Sequence, residues 1–290
     1  MNQERFAFRG SAAAAELRPS FLCIGQPHSA TTWLSGVLSL HPQVSIPQKL
    51  RAVDYFSFNY HLGERWYLDQ FPEAGRATRI MGDVEPLCVY CDLSAPRVAN
   101  FGSIGKLIIM LRDPSSWIVS AYHSVNKASS YSRDRAQFLK FHSRVFELLR
   151  TYDYIRNYFE FFDREQFLFV TRQELVADME AVKNRLSEFL EIDRFRNDAS
   201  RVLYNAARQP RFRLLYKQAR RLRDRHFPKF EWTNAVESRA PFLRNALFRE
   251  PPPPPGWLLE ELRARRDIVN AQTERLGEAI GRDLSGWRID

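Results

Sequence analysis

Eight residues, Gly25-Gln-Pro-His-Ser-Ala-Thr-Thr, bring together groups that can grip a phosphate. Gly25 ends a short apolar run, and Ser29, Thr31 and Thr32 place three hydroxyls just where a helix is expected to begin. The first N–H groups of a helix lack partners inside it, so with nearby hydroxyls they form a cradle for an anion. The spacing follows GxxxxGK[ST], but Ala30 stands at the second glycine and Thr31 at the lysine. Magnesium–triphosphate chemistry needs that lysine and a downstream acidic metal ligand, so the loop speaks against a nucleoside triphosphatase. The plainer use of Thr31 and Thr32 is to cap the helix. A second set lies further on. Arg112 ends an apolar run, and Ser120 follows it eight residues later. An arginine offers a planar fork that matches a phosphate.

These residues must be positioned by strands and helices. Residues 20–25 are short and apolar and read as a buried strand. From Thr31, the positions Trp33, Leu34, Val37, Leu38 and Leu40 share a helical face that stops near His41-Pro42. Residues 106–111, almost continuously hydrophobic, suit a parallel strand covered on both faces, with a helix expected over 115–124. An aromatic-rich helix around 144–162, a strand at 166–171 and an amphipathic helix over 174–190 follow. Strands alternating with helices predict an α/β fold with a parallel sheet. Ligands in such folds sit at the carboxyl ends of strands. Both 25–32 and 112–120 fall there.

At 44% hydrophobic and 27% charged residues the chain has an ordinary soluble globular composition. No run approaches the ~18–20 apolar residues of a membrane span. Residues 1–19 lack an apolar signal core, and a flexible leader on a cytoplasmic protein is expected. Cys23, Cys88 and Cys91 give no disulfide framework, and the CxxC of Cys88 and Cys91 has no second ligand pair at zinc spacing. No metal site is expected. The net charge of +9 suits an anionic partner, and much of the excess lies in 208–225, a basic amphipathic stretch that lines an anion cleft or faces solvent. Nucleic-acid binding through that stretch is the weakest of the readings considered. Pro251 to Pro255 read as a stiff spacer before a last helix over 257–280.

Taken in order, these stretches resemble one family. GQPHSATTWL is similar to the 5′-phosphosulfate loop GxxKxGTTxL of the sulfotransferases that use 3′-phosphoadenylyl sulfate (PAPS), and LIIMLRDPSSWIVSAYHS to their 3′-phosphate motif LRDPxxRxxSxY. QKLRAVDYFSF resembles the KExxYF segment of carbohydrate-type and bacterial members, GERWYLDQFPEA their WYxxxFP stretch, and GRDLSGW their ending. The resemblance spans about 20–200 and the tail. It implies a three-layer α/β fold, a parallel sheet flanked by helices in the P-loop-like manner, as one domain over 20–290 with a basic cover at 203–256. It also implies in-line sulfuryl transfer from PAPS, without a metal, to a hydroxyl or amine of a carbohydrate, lipid or natural-product acceptor. PAPS or its product 3′,5′-bisphosphoadenosine (PAP) would meet Ser29, Ala30, Thr31, Thr32 and Trp33 at one end and Arg112 and Ser120 at the other. Arg208 and Arg211, near Asn205 and Pro210, match the outline of the family segment that folds over the nucleotide.

Three departures bear on catalysis. The loop lysine of the family is His28 here, which two phosphates beside it would tend to charge. Ala30 replaces a glycine, at a cost of about 1 kcal/mol if that position needs a positive φ. The KExxYF alignment puts Arg51 at the lysine and Ala52 at the glutamate, so the family's usual base is missing. Asp54, two residues on, is one replacement; Asp83 and Glu85, in a GDVEP segment near the acceptor cleft, and His123, just after Ser120, are others. Arg51 and Tyr55 are expected to face the acceptor. A protein that keeps the fold, binds a nucleotide or sulfated ligand and has lost transfer is the rival reading.

Overall fold

The computed structural model describes residues 17–48, 53–128, 134–195, 209–210, 218 and 248–290. Five parallel strands form the central sheet: β1 (Pro19–Gly25), β2 (Val44–Ser45), β3 (Ile80–Val84), β4 (Lys106–Leu111) and β5 (Phe167–Thr171). Their order across the sheet is β2-β3-β1-β4-β5. Chain order reverses on either side of β1, so the crevice above its carboxyl end is where a ligand belongs in such a sheet.

Both faces of the sheet are covered. Leu22 and Ile24 of β1 and Leu107 and Ile109 of β4 point into one apolar layer, while Phe21, Cys23, Ile108 and Met110 point into the other. This alternation follows from the two-residue period of a strand. On the second face lie α1 (Thr31–Ser39) and α8 (Met179–Leu190), packed through Leu34, Val37, Leu186 and Leu190. The first face carries α2 (Gly63–Leu68), α3 (Ser94–Phe101), α6 (Thr151–Phe159) and α10 (Arg266–Ile280). A third apolar cluster joins α4 (Pro114–Ala128) to α5 (Arg135–His142) and α9 (Gly256–Arg263) through Trp117, Tyr122, Phe138 and Leu258. A two-residue antiparallel pair, β6 (Gln209–Pro210) with β7 (Phe248–Arg249), completes the strands among the described residues.

The parallel α/β sheet expected from the sequence is present, and three of its strands fall within a residue of their expected positions. The helices differ in their breaks. The helix expected over 174–190 is two helices, α7 (Arg172–Ala177) and α8, because Asp178 takes an extended conformation and its side chain accepts the Ala181 N–H, starting a new helix. The stretch around 144–162 is helical only from Thr151, after two 3-10 turns. The C-terminal helix is interrupted at Ala264-Arg265. Strands β2 and β3 were not expected. Pro255 (φ −67°, ψ 144°) has the extended geometry of a polyproline spacer. No helix among the described residues is long and apolar enough to cross a membrane.

Candidate active site

The loop after β1 is held from below and from the side. Gly25 sits against Val89: a Cβ there would lie 2.7 Å from Val89 Cγ1, so only glycine allows the approach. The Gln26 N–H donates to Met110 O (2.7 Å), and its side-chain amide donates to Thr151 Oγ1 (3.1 Å). Ser29 is fully buried, and its hydroxyl lies 3.4 Å from Gln26 Oε1. Two residues of the loop have positive φ, His28 (66°) and Ala30 (72°). Ala30 thus occupies the left-handed region that favours glycine.

Ala30 is the N-cap of α1 and supplies no side-chain cap, and the first turn of α1 carries no acid. The opening N–H groups of α1, at Thr31, Thr32 and Trp33, therefore stand at a positive helix end without a side-chain partner. Thr31 and Trp33 are buried, and Thr32 is half-buried. The Trp33 Nε1–H is buried without a partner.

The second motif braces the first. Arg112, directly beyond β4, donates from Nη1 to His28 O (2.9 Å), and Trp117 donates from Nε1 to Pro27 O (2.7 Å). The His28 ring meets Trp117 edge-on at 5.7 Å. Burial, then the Arg112 guanidinium, push His28 down to about 4, so the imidazole is neutral at pH 7. The Arg112 Nε–H is buried and unpartnered. Ser120 lies half-buried on α4, and His123, one turn further, is buried with a partnerless Nδ1 and a pKa lowered by that burial.

Carboxylates gather on the other side of β1, at the carboxyl end of β3. Asp83 and Glu85 are both buried. Glu85 accepts the N–H groups of Tyr55 (2.6 Å) and Phe56 (3.0 Å), and thereby holds the π-helical turn Tyr55–Asn59 against the sheet. Asp83 Oδ1 accepts the Val84 N–H (2.6 Å), while Oδ2 is buried without a partner. The two carboxyl groups contact each other and titrate as a unit. Burial raises Glu85 well above its ordinary range, and burial raises Asp83 to about 7. Asp54, in the left-handed region (φ 47°), adds its charge to Asp83, is itself raised by burial, and has a buried, unpartnered Oδ1. Tyr55 stacks on Tyr67 (4.4 Å between centroids, 5° between planes), which makes it part of a buried aromatic wall under this cluster.

The structure therefore brings His28, Ser29, Ala30, Thr31, Thr32 and Trp33 together with Arg112, and separately gathers Asp54, Asp83, Glu85 and Tyr55. Arg51, Arg208 and Arg211 lie outside the described residues. Among the described residues no group of His, Cys, Asp and Glu has the arrangement of a metal site. Sequence reasoning passed over Arg172, which begins α7 at the carboxyl end of β5. Its signal was an arginine one residue beyond a buried strand, the same signal that singled out Arg112.

A strand-to-helix turn with open amides, braced by an arginine from the neighbouring strand, thus shares the carboxyl edge of a parallel α/β sheet with a group of buried carboxylates. The sulfotransferase domain model matches residues 18–214, and the chain belongs to the sulfotransferase family. It is 33% identical over 107 residues to the membrane-associated sulfotransferase kil1 of Dictyostelium discoideum, covering 36% of this chain and 22% of that protein. It is 27% identical over 204 residues to mouse heparan sulfate glucosamine 3-O-sulfotransferase 3B1, covering 65% of this chain and 50% of that one. The chain thus spans half or less of the length of these relatives. A crystal structure of a sulfotransferase from Alicyclobacillus acidocaldarius superposes with a TM-score of 0.62 at 19% identity, covering 93% of this chain and 98% of that one, a likeness of fold.

Proposed function

We propose that the protein transfers a sulfuryl group from PAPS to a hydroxyl or amine of a carbohydrate, lipid or natural-product acceptor. The observation that carries this reading is the split of charge across the sheet's carboxyl edge. Basic groups and open amides follow β1 and β4, and near the end of β3 lies Asp83, a buried carboxyl with a raised pKa and one oxygen, Oδ2, without a partner. A nucleotide with two phosphates fits the first half, because the opening amides of α1 and the orphan Arg112 Nε–H are donors in search of acceptors. PAPS, when bound, supplies the activated sulfuryl group and leaves as PAP.

The residues then divide the work. The α1 amides, with the hydroxyls of Thr31 and Thr32, hold the phosphosulfate end, and Arg112 and Ser120 hold the 3′-phosphate. His28 lies where a cation at the bridging oxygen is wanted. It gains charge only when phosphate oxygens beside it offset burial and Arg112. Asp83, with Asp54 beside it, takes the acceptor's proton at Oδ2 as the new S–O or S–N bond forms and the S–O bond to the phosphate breaks. A base with a pKa near 7 suits that task. Glu85 fixes the Tyr55 turn beneath the acceptor. His123 belongs with Ser120 on α4, on the nucleotide side of β1, rather than with the β3 carboxylates. Preorganised charge and positioning supply the rate in such a transfer.

The test is release of PAP from PAPS over a panel of glycan, lipid and phenolic acceptors, with Asp83→Asn in parallel. An acceptor-dependent release that falls about a hundredfold or more in Asp83→Asn, with PAP affinity kept, is expected. The rival reading, a binding protein without transfer, draws on the neutral His28. Tight PAP binding with no acceptor-dependent release would favour it.

A further inference from the structure

Arg172 is the first residue beyond β5, and β5 runs in parallel register with β4, Leu111 opposite Thr171. Arg112 and Arg172 are thus the residues next beyond two adjacent strands, whose backbones lie ~4.8 Å apart. Both are half-buried. After burial, the charge of Arg172 is the largest influence on Arg112, whose pKa is lowered to about 10. Two guanidinium groups at this range repel each other unless an anion answers both.

Among the described residues, the nearby carboxylates are already committed. Asp113 Oδ1 accepts the Ser116 N–H (2.8 Å) and Oδ2 accepts from Gln173 Nε2 (2.9 Å), so Asp113 offsets only part of the charge. Glu174 accepts from Thr171, Arg185 and Arg282. Arg112 spends Nη1 on His28 O, and its buried Nε–H finds no acceptor. A buried donor without a partner is costly enough to need an explanation.

We propose that Arg172 supplies a second guanidinium to the 3′-phosphate subsite, so that with Arg112 it makes the protein select a 3′,5′-bisphosphate nucleotide over a 5′-monophosphate. The inference rests on the nucleotide reading given above. A phosphate dianion between two arginine forks accepts charge-assisted hydrogen bonds from each and cancels their repulsion. A nucleotide lacking that phosphate keeps the α1 amides but gains nothing from the arginine pair.

Calorimetric titration of PAP and of adenosine 5′-monophosphate into the full chain, Arg172→Ala and Arg172→Lys tests this. The full chain should bind PAP more tightly than the monophosphate. Arg172→Ala should lose about tenfold to hundredfold in PAP affinity, the range for a charged hydrogen bond, and leave the monophosphate within twofold. Arg172→Lys should recover part of the loss, and unchanged monophosphate binding shows that the variants are folded. If the full chain prefers PAP and Arg172→Ala keeps that preference, the inference is overturned while the nucleotide reading stands. Equal affinity of the full chain for both ligands removes the subsite and the inference with it. Binding of neither ligand overturns the nucleotide reading itself.

Discussion

His28 and Ala30 hold left-handed backbone in a loop where glycine is the residue that does so without strain. At Ala30 the cost is about 1 kcal/mol, partly returned because alanine has less unfolded-state entropy than glycine. Ala30→Gly should therefore raise the melting temperature by about 2 °C, read by calorimetry; a fall would show that the position carries no strain. Asp83 offers a sharper test. Its folded pKa, about 7, lies above the unfolded value, so it contributes stability below the unfolded pKa that is lost as pH rises through about 7. Asp83→Asn has no such loss. Its melting temperature should exceed that of the parent at pH 8, with the gap closing toward pH 4, although transfer activity is lost. Equal melting temperatures at pH 8 would mean that Asp83 is not strained by ionisation. His28 runs the other way. It is neutral at pH 7, and on the proposed reading bound phosphate oxygens would favour its charged form, so PAP affinity should rise as pH falls from 7 toward 5. In titrations, His28→Lys should bind PAP more tightly at pH 7 and flatten that slope.

Among the elements, the strands that carry the loop over 25–32 and Arg112 were legible because β1 and β4 are unbroken apolar runs ending in distinctive residues. Strand β3 was not. It holds Gly82, where a Cβ would come within 2.4 Å of Phe21, and Asp83, a buried acid, so neither apolar run nor alternation marks it. The close approach of Phe21 demands glycine at 82, and together with a buried acid this overrides strand propensity. For the same reason the sequence named Asp83 and Glu85 without telling them apart. Only the structure separates the one that caps the Tyr55 turn from the one with a free oxygen. The break between α7 and α8 depends on one residue, Asp178, whose capping role competes with a continuous amphipathic pattern. Gly25 makes the strand-to-loop joint testable. Gly25→Ala should push against Val89 and destabilise by about 1–3 kcal/mol, seen in denaturant unfolding. An unchanged midpoint would show that Val89 can yield.

Across the whole molecule, the carboxyl edge of the sheet is divided by β1. His28, Arg112 and Arg172 follow β1, β4 and β5, and Asp83 and Glu85 close β3 with Asp54 beside them. The topology itself makes the division, since strands on opposite sides of β1 deliver loops to opposite sides of one crevice. On the proposed reading, the polyanionic bisphosphate nucleotide is drawn to the basic side and the proton acceptor lies on the carboxylate side. Burial is the main cause of the raised Asp83 pKa, and on that reading it lets the carboxylate accept a proton near neutral pH. On the proposed reading, the basic half is a bisphosphate nucleotide site anchored by Arg112. Calorimetric titration of the full chain and of Arg112→Ala with PAP tests it most directly. Micromolar binding that Arg112→Ala abolishes is the predicted result; no binding by the full chain, or equal binding by both proteins, would contradict it.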